Sequence, residues 1–304
     1  MSRRGIILLA AGVLLSGLVS ILWIAARAST TSAKAVVEMR SVTDMTGRTV
    51  RLPLKPVRIL SLCTSATDTI IALGQVQRLA AIDDYSSVVP GSDKATIIGK
   101  GGAISREQVL ALRIDLAFIW WYQDDAGATL EEMGVPVVRV RSARAAEAPA
   151  LVRLIGDCIN ARDHAEKLAS DIEAFVAGSA KQAPPAQPAA RVFLELYGPF
   201  KTMGRETYAD DLLTLAGAQN AASDISGTGL LSAEKLMAAD PDAILLVEDF
   251  ADPASLAQRP GMSSLRAVHE GRVVCIDRYW LVAGPNLPQS VAALRQAISS
   301  ALSR

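Results

Sequence analysis

The sequence predicts an α/β protein of two lobes joined by a single long backbone helix, with a ligand cleft between the lobes. Three observations carry that expectation. Apolar strand-like runs alternate with helical patterns over most of the chain, a long amphipathic helix divides that alternation in two, and one short pattern recurs on either side of the helix. At 304 residues the chain is long enough for two cores, since single cores stop growing at about 250–300 residues. The layout that follows is a leader over 1–28, an N-terminal lobe over 35–144, linking helices over 145–181 and a C-terminal lobe over 190–304. Half of the residues are hydrophobic, and 31 Lys and Arg balance 31 Asp and Glu. A net charge of zero argues against nucleic acid as the partner, which would call for a basic face.

Arg3 and Arg4 precede an almost unbroken apolar run over 5–26, followed by Ala26-Arg27-Ala28. A positive start, an apolar middle and an Ala-x-Ala exit mark a secretory signal peptide. The run is also long enough to cross a bilayer of roughly 30 Å, so an uncleaved N-terminal anchor fits it as well. Both readings put the rest of the chain outside the cytoplasm, either free in the periplasm or held at the outer face of the cytoplasmic membrane. No Cys follows the run, so attachment through a lipidated Cys has no support. Cys63, Cys158 and Cys275 are odd in number, far apart and without C-x-x-C spacing, which disfavours metal or redox chemistry. They read as small apolar residues, with one bridge between two of them left open.

In the first lobe a hairpin is expected over 36–52, turning at Thr46-Gly47. Strands are expected at 57–62, 79–82, 115–120 and 135–140. Helices are expected at 67–73, capped by Thr64 or Ser65 and ended by Gly74, at 105–112, and at 129–133 before Gly134. This alternation implies a mostly parallel, Rossmann-like sheet covered on both faces. A helix over 147–158 feeds the long one over 163–180. There Ala165, Leu168, Ala169, Ile172, Phe175 and Val176 share one face, and Asp163, Glu166, Lys167, Asp171 and Glu173 take the other. The Ala-Pro-Gln run over 181–190 stops it, because proline neither donates the helix bond nor fits the preceding turn. The second lobe has expected strands at 191–197, 243–247 and 273–276, and helices at 208–216, 233–239, 263–268 and 288–302.

The recurring pattern aligns 105–119 with 232–246 without a gap. A Ser stands two residues before a Glu and an Asp eight after it: Ser105, Glu107 and Asp115, then Ser232, Glu234 and Asp242. A carboxylate in a first helical turn is favoured by the helix's positive end, typically by about 0.3–1 kcal/mol, which accounts for either Glu without a partner. Recurrence of the offset in both halves is the further fact.

Three more segments bear on identity: 57–74, Val-Arg-Ile-Leu-Ser-Leu-Cys-Thr-Ser-Ala-Thr-Asp-Thr-Ile-Ile-Ala-Leu-Gly; 208–220, Tyr-Ala-Asp-Asp-Leu-Leu-Thr-Leu-Ala-Gly-Ala-Gln-Asn; and 271–277 followed by Gly284-Pro285-Asn286. With the two Ser-x-Glu repeats, in this order and spacing, the chain resembles the substrate-binding proteins of ABC importers for iron–siderophore complexes, haem and vitamin B12. The resemblance implies two α/β lobes on one helix, a monomeric receptor without catalytic residues, resident metal or cofactor, and an ABC permease and ATPase as partners. It also implies one acid per lobe docking on permease arginines, at Glu107 and Glu234. Two positions depart from the family's pattern: Asp68 stands where Glu is common, and Asn286 where an Arg is usual.

Ligands of such folds sit beyond the strand ends. Seven of the eight Trp and Tyr residues outside the leader fall at strand-to-loop junctions, with Tyr208 the exception. The expected ligand-binding set is Tyr85, Lys100, Trp120, Trp121, Tyr122, Tyr197, Phe200, Arg205, Tyr279 and Trp280; the resemblance itself assigns Tyr85, Trp120, Phe200 and Tyr279 to the cleft of vitamin B12 binders. Trp and Tyr suit a broad, partly flat ligand. Period-two alternation turns one of Trp120 and Trp121 inward. Lys100 in Gly99-Lys100-Gly101-Gly102, Lys201, Arg205 and Arg278 are the candidate cations. A triply charged catecholate would want several Arg together. Haem would want an axial His or Tyr; His164 and His269 lie elsewhere, whereas Tyr85, Tyr122 or Tyr279 can serve. The expected cargo is a ferric siderophore or cobalamin, with haem behind them. A membrane-anchored sensor of the same fold is the alternative. A secreted hydrolase is disfavoured, since no Gly-x-Ser-x-Gly elbow, phosphate loop or His-Glu-x-x-His pair is present.

Overall fold

The computed structural model describes residues 38–141, 144–181 and 189–304, so the expected leader lies outside the described residues. The chain opens with an antiparallel hairpin of β1 (Met39–Thr43) and β2 (Thr49–Pro53). Gly47 takes φ 83° in its turn, and the Asp44 carboxylate accepts from the Thr46 and Arg48 N–H groups at 2.9 and 3.0 Å. The first sheet contains β3 (Ile59–Ser61), β4 (Leu79–Ile82), β5 (Thr96–Ile97), β8 (Leu116–Trp120) and β9 (Val137–Val140), all parallel, in the order β5-β4-β3-β8-β9. Between β5 and β8 stands a short hairpin, β6 (Gly99–Lys100) with β7 (Ala103–Ile104). Helices α1 (Thr64–Ala72), α2 (Arg106–Ala111) and α3 (Asp124–Glu132) fill the crossovers.

Helices α4 (Ala148–Cys158) and α5 (Arg162–Lys181) follow. At 20 residues α5 is about 30 Å long. The second sheet contains β10 (Arg191–Glu195), β12 (Gln219–Asn220), β14 (Ala243–Val247) and β15 (Val273–Ile276), parallel in the order β12-β10-β14-β15. An antiparallel pair, β11 (Lys201–Met203) and β13 (Thr228–Leu230), stands beside it. Helices α6 (Tyr208–Leu215), α7 (Ala233–Ala239), α8 (Pro253–Ala257), α9 (Arg266–His269) and α10 (Leu287–Leu302) complete the chain.

The repeat is a structural duplication. Ser105 and Ser232 cap α2 and α7, each accepting from the N–H three residues on, at 3.3 and 3.2 Å. Arg113 and Asp240, each two residues before the repeated Asp, take left-handed φ values of 52° and 38°. The Asp115 N–H donates to the Arg58 carbonyl, and its carboxylate accepts from the Arg58 N–H at 3.0 Å. Asp242 does the same with Arg191, accepting at 2.8 Å. The repeated Asp therefore ties the start of one central strand to the start of its neighbour in both sheets.

Three apolar cores result. One packs Leu60, Leu62, Ile119 and Leu130 on the outer face of the first sheet, and one packs Phe193, Ile244, Leu246 and Met262 on the outer face of the second. The third is shared: Phe118 and Val138 of the first sheet, Leu194 and Leu245 of the second, and Leu151, Ile155, Ala169, Ile172, Leu212 and Leu294 of the helices belong to one cluster. The long helix α5 runs against α4, so the linking segment is the backbone helix with the shorter helix that feeds it. A Cβ on Gly156 of α4 would stand 2.1 Å from the Ala165 Cβ of α5, so only glycine allows this approach. Arg153 bridges Glu166 and Glu173 along the outside of the pair.

Helix α1 begins at Thr64 after Cys63, which makes no side-chain cap, so the expected Thr64 or Ser65 cap is not used. Ser65 is instead inside the helix and fully buried. Helix α3 starts five residues earlier than periodicity suggests, its first turn carrying Asp124 and Asp125 at the positive helix end. Cys63, Cys158 and Cys275 are free thiols. Among the described residues no helix is long and apolar enough to cross a membrane.

Candidate functional site: the cleft between the lobes

Every aromatic group of interest lies at or just after the C-terminal end of a parallel strand. Tyr85 lies in the turn after β4, where the buried Asp83 accepts from the Ser86 N–H at 3.0 Å and the Ser86 hydroxyl at 2.5 Å. Trp120 ends β8, and Trp121 and Tyr122 follow it. The Gln123 side chain accepts from the Trp120 N–H at 2.9 Å, and Arg139 donates to the Trp121 carbonyl at 3.0 Å, so this turn is braced on both sides. The three rings form one cluster, with Trp120 stacked on Tyr122 at 6.3 Å and Trp121 edge-on to Tyr122 at 5.0 Å.

Tyr197 follows β10 and meets Phe250, which follows β14, at 5.6 Å. Arg278, after β15, crosses between the lobes: its Nη1 donates to the Tyr85 carbonyl at 3.2 Å, its guanidinium lies 5.9 Å from the Tyr85 ring centre, and Asp249 holds its Nε at 2.6 Å. Lys100 reaches the same ring at 5.6 Å from the β6–β7 hairpin. That hairpin needs Gly99, whose Cβ would fall 1.7 Å from the Ala103 carbonyl oxygen.

The Arg278–Tyr85 contact brings strand ends of the two lobes together, and the interval there is the candidate recess. Burial pushes the Tyr122 hydroxyl up to about 12, with Cys63, Tyr197, Asp83 and Tyr85 adding to the effect, although the residue exposes 62% of its surface. Burial likewise raises the Tyr197 hydroxyl, against a downward pull from Arg278. Among the described residues Lys100 and Lys201 carry no carboxylate partner, and Lys201 stands 5.6 Å from the Tyr197 ring.

The cleft floor is a polar seam between the lobes. The Tyr279 hydroxyl donates to Asp68 Oδ1 at 3.1 Å, and the Asn286 amide donates to the Tyr279 carbonyl at 3.3 Å. Asp68 is buried, its Oδ2 has no hydrogen-bond partner, and burial pushes the carboxyl up to about 6 despite the Tyr279 bond. Asn286 is thus an interior strut where the family resemblance led one to look for a cation.

Of the expected binding residues, Tyr85 meets Lys100, Trp120, Trp121 and Tyr122 form one ring cluster, and Tyr197 meets Phe250. Tyr279 has its hydroxyl engaged by Asp68. Phe200 packs against the outer core of the second lobe, with Arg259 5.2 Å from its ring centre. Arg205 is exposed on the bridge to Ser226 and meets none of the aromatic rings. Trp280 packs on the shared core and lines a cavity of about 550 Å³ with Val273, Cys275 and Ala297, along the edge of β15. Phe250, Asp249, Glu195 and Arg259 were outside the sequence-derived set. Phe250 obeys the same strand-end rule once phenylalanine is admitted to it, and Glu195 is a lone charge in the apolar run 192–196; nothing in the sequence marks Arg259. Among the described residues no group of three or more His, Cys, Asp or Glu side chains could hold a metal ion.

Glu107 and Glu234 are exposed in the first turns of α2 and α7, at the sheet ends where the strands' C-termini lie. Each is held below the usual carboxylate range by its own backbone N–H and by the capping Ser hydroxyl. The two acids are therefore presented alike, one per lobe.

Comparison with known proteins adds four findings. Residues 59–279 match the family model described as periplasmic binding protein. An uncharacterized ABC transporter substrate-binding lipoprotein of Bacillus subtilis, YvrC, is 25% identical over 268 residues, 85% of either chain. The vitamin B12-binding protein of Pectobacterium carotovorum is 27% identical over 199 residues, 63% of this chain and 71% of that one. Among solved structures, the periplasmic heme-binding protein RhuT from Roseiflexus superposes with a TM-score of 0.73 at 26% identity, covering 81% of this chain and 98% of its own.

Proposed function

The chain belongs to the periplasmic binding protein family, and from that premise we propose that it captures a corrinoid outside the cytoplasm and hands it to an ABC permease. The observation that carries the cargo class is the recess itself. It combines Tyr85, Trp121, Tyr122 and Tyr197 with Lys100 and Lys201, the two cations there that, among the described residues, lack a carboxylate partner. Arg278 is neutralised by Asp249, and Arg259 by Glu195. A triply charged ferric catecholate would find no group of free guanidinium forks here. A corrinoid is a broad, largely neutral ring edged with amides and carrying one phosphodiester, and it suits aromatic faces with one or two lysines at the rim. The vitamin B12-binding relative supports this choice.

No bond is made or broken in this function: the lobes hold the cargo, and Glu107 and Glu234 mark the face offered to the permease. Haem is the second reading, favoured by the likeness to RhuT and by the exposed Tyr85, whose phenol is of the type that ligates haem iron. Titration of the purified protein with cyanocobalamin, haemin and a ferric catecholate, followed by Trp121 and Trp120 fluorescence, separates these readings. Saturable quenching by cyanocobalamin alone is the expected result; response to haemin alone would move the assignment to the second reading, and response to the catecholate alone would overturn both.

A further inference from the structure

The second sheet carries a charge that its fold does not require. Glu195 is the last residue of β10 and is fully buried. Ile59 pairs with Leu116 as Val192 pairs with Ala243, so the first-lobe counterpart of Glu195 is Leu62, also fully buried. A leucine therefore satisfies this position in the duplicated architecture. Burying a carboxylate with its cation is often no better for stability than a well-packed apolar pair. The ion pair calls for another reason.

Its contacts supply one. Arg259 grips Glu195 with both ends of its fork, at 2.6 and 2.8 Å, and Glu195 Oε2 also accepts from the Phe200 N–H at 2.7 Å. The same guanidinium lies over the Phe200 ring. Between Glu195 and Phe200 the backbone turns through two left-handed non-glycine residues, Tyr197 at φ 66° and Phe200 at φ 59°. Such residues are strained and persist only where their surroundings impose them. This turn is the one that offers Tyr197 to the recess.

Building on the cargo-binding role assigned above, we propose that Arg259 and Glu195 are positioning residues: the buried pair clamps the strained 197–200 turn and so aims Tyr197 at the ligand. Arg259 touches no ligand; it acts through Tyr197. With the clamp in place the aromatic face is fixed before the cargo arrives, and no ordering cost falls on binding.

The test is a double-mutant cycle read by calorimetry with cyanocobalamin, together with amide hydrogen exchange of the unliganded protein. Arg259→Met is expected to weaken binding roughly two- to tenfold in the parent, the range set by ordering one or two side chains, and to have no further effect in a Tyr197→Ala background. Exchange over 197–203 should accelerate while 243–247, the neighbouring strand, stays protected. Arg259→Lys keeps the charge but loses the fork and the ring contact; it should fold as the parent does and still show the faster local exchange. Equal weakening in both backgrounds, or unchanged exchange at 197–203 in either Arg259 variant, overturns the proposal. A parent that binds no corrinoid overturns the functional reading instead, and the exchange measurement then decides on the clamp alone.

Discussion

Replacing Asp68 by Asn tests the seam at the cleft floor. The carboxyl is buried, faces no cation, and keeps one oxygen without a partner, so its charge is costly in the fold. Its value rises from 3.8 to about 6, which makes the protonated form the one the folded state prefers. Stability from this group is thus fully present below its unfolded value and is lost as pH rises through about 6. Integrated from about pH 4.5 to about pH 8, the loss is about 2 kcal/mol. Asp68→Asn removes the titrating charge while its amide oxygen can still accept from the Tyr279 hydroxyl. Urea unfolding of parent and variant at both pH values is the assay. The variant should gain about 2 kcal/mol on the parent between the two conditions, while the part of the pH dependence that comes from Asp83, also raised to about 6 by burial, stays in both proteins. A stability difference that does not change with pH would refute the reasoning, because it would mean that Asp68 is as well solvated folded as unfolded.

Other perturbations probe the remaining links. Trp121→Ala with Tyr197→Ala should lower corrinoid affinity roughly five- to 150-fold, since each stripped aromatic face costs about 0.5–1.5 kcal/mol, while circular dichroism stays that of the parent. Reversing both Glu107 and Glu234 to Lys should abolish uptake in cells and leave cargo affinity in solution unchanged; loss of affinity would assign them a structural role. Gly156→Val should destabilise the protein by several kcal/mol, roughly the cost of overpacking a tight contact, because its side chain has nowhere to go against Ala165; a melting temperature equal to the parent's would contradict the close α4–α5 packing.

The fold was legible where local and tertiary signals agree. Strands β14 and β15, helix α7 and the hydrophobic face of α5 were readable because an apolar run or stripe there coincides with burial. The duplication was readable because its chemistry is local: a Ser cap, a Glu in the first turn and an Asp that reaches one strand across. The two-residue strands β5, β6, β7 and β12 were not, since so few residues carry no periodicity and their pairing is decided by partners far along the chain. For the candidate cleft, residue type and strand-end position pointed to Tyr85 and the Trp120–Tyr122 turn, which the structure does place at the ends of β4 and β8. They could not show that Trp280 faces the β15 edge or that Phe200 packs on the outer core. Those directions depend on side-chain packing from distant segments. The same holds for the Asp68–Tyr279 and Arg259–Glu195 bonds, which join residues 211 and 64 positions apart.

Native mass spectrometry of the protein isolated from cells that naturally express it tests the whole account most directly. One corrinoid per chain, released when Trp121 and Tyr197 are both replaced by Ala, is the predicted spectrum. A ferric catecholate in its place, or a corrinoid that survives removal of both rings, would contradict an aromatic recess between twin lobes as the seat of the cargo.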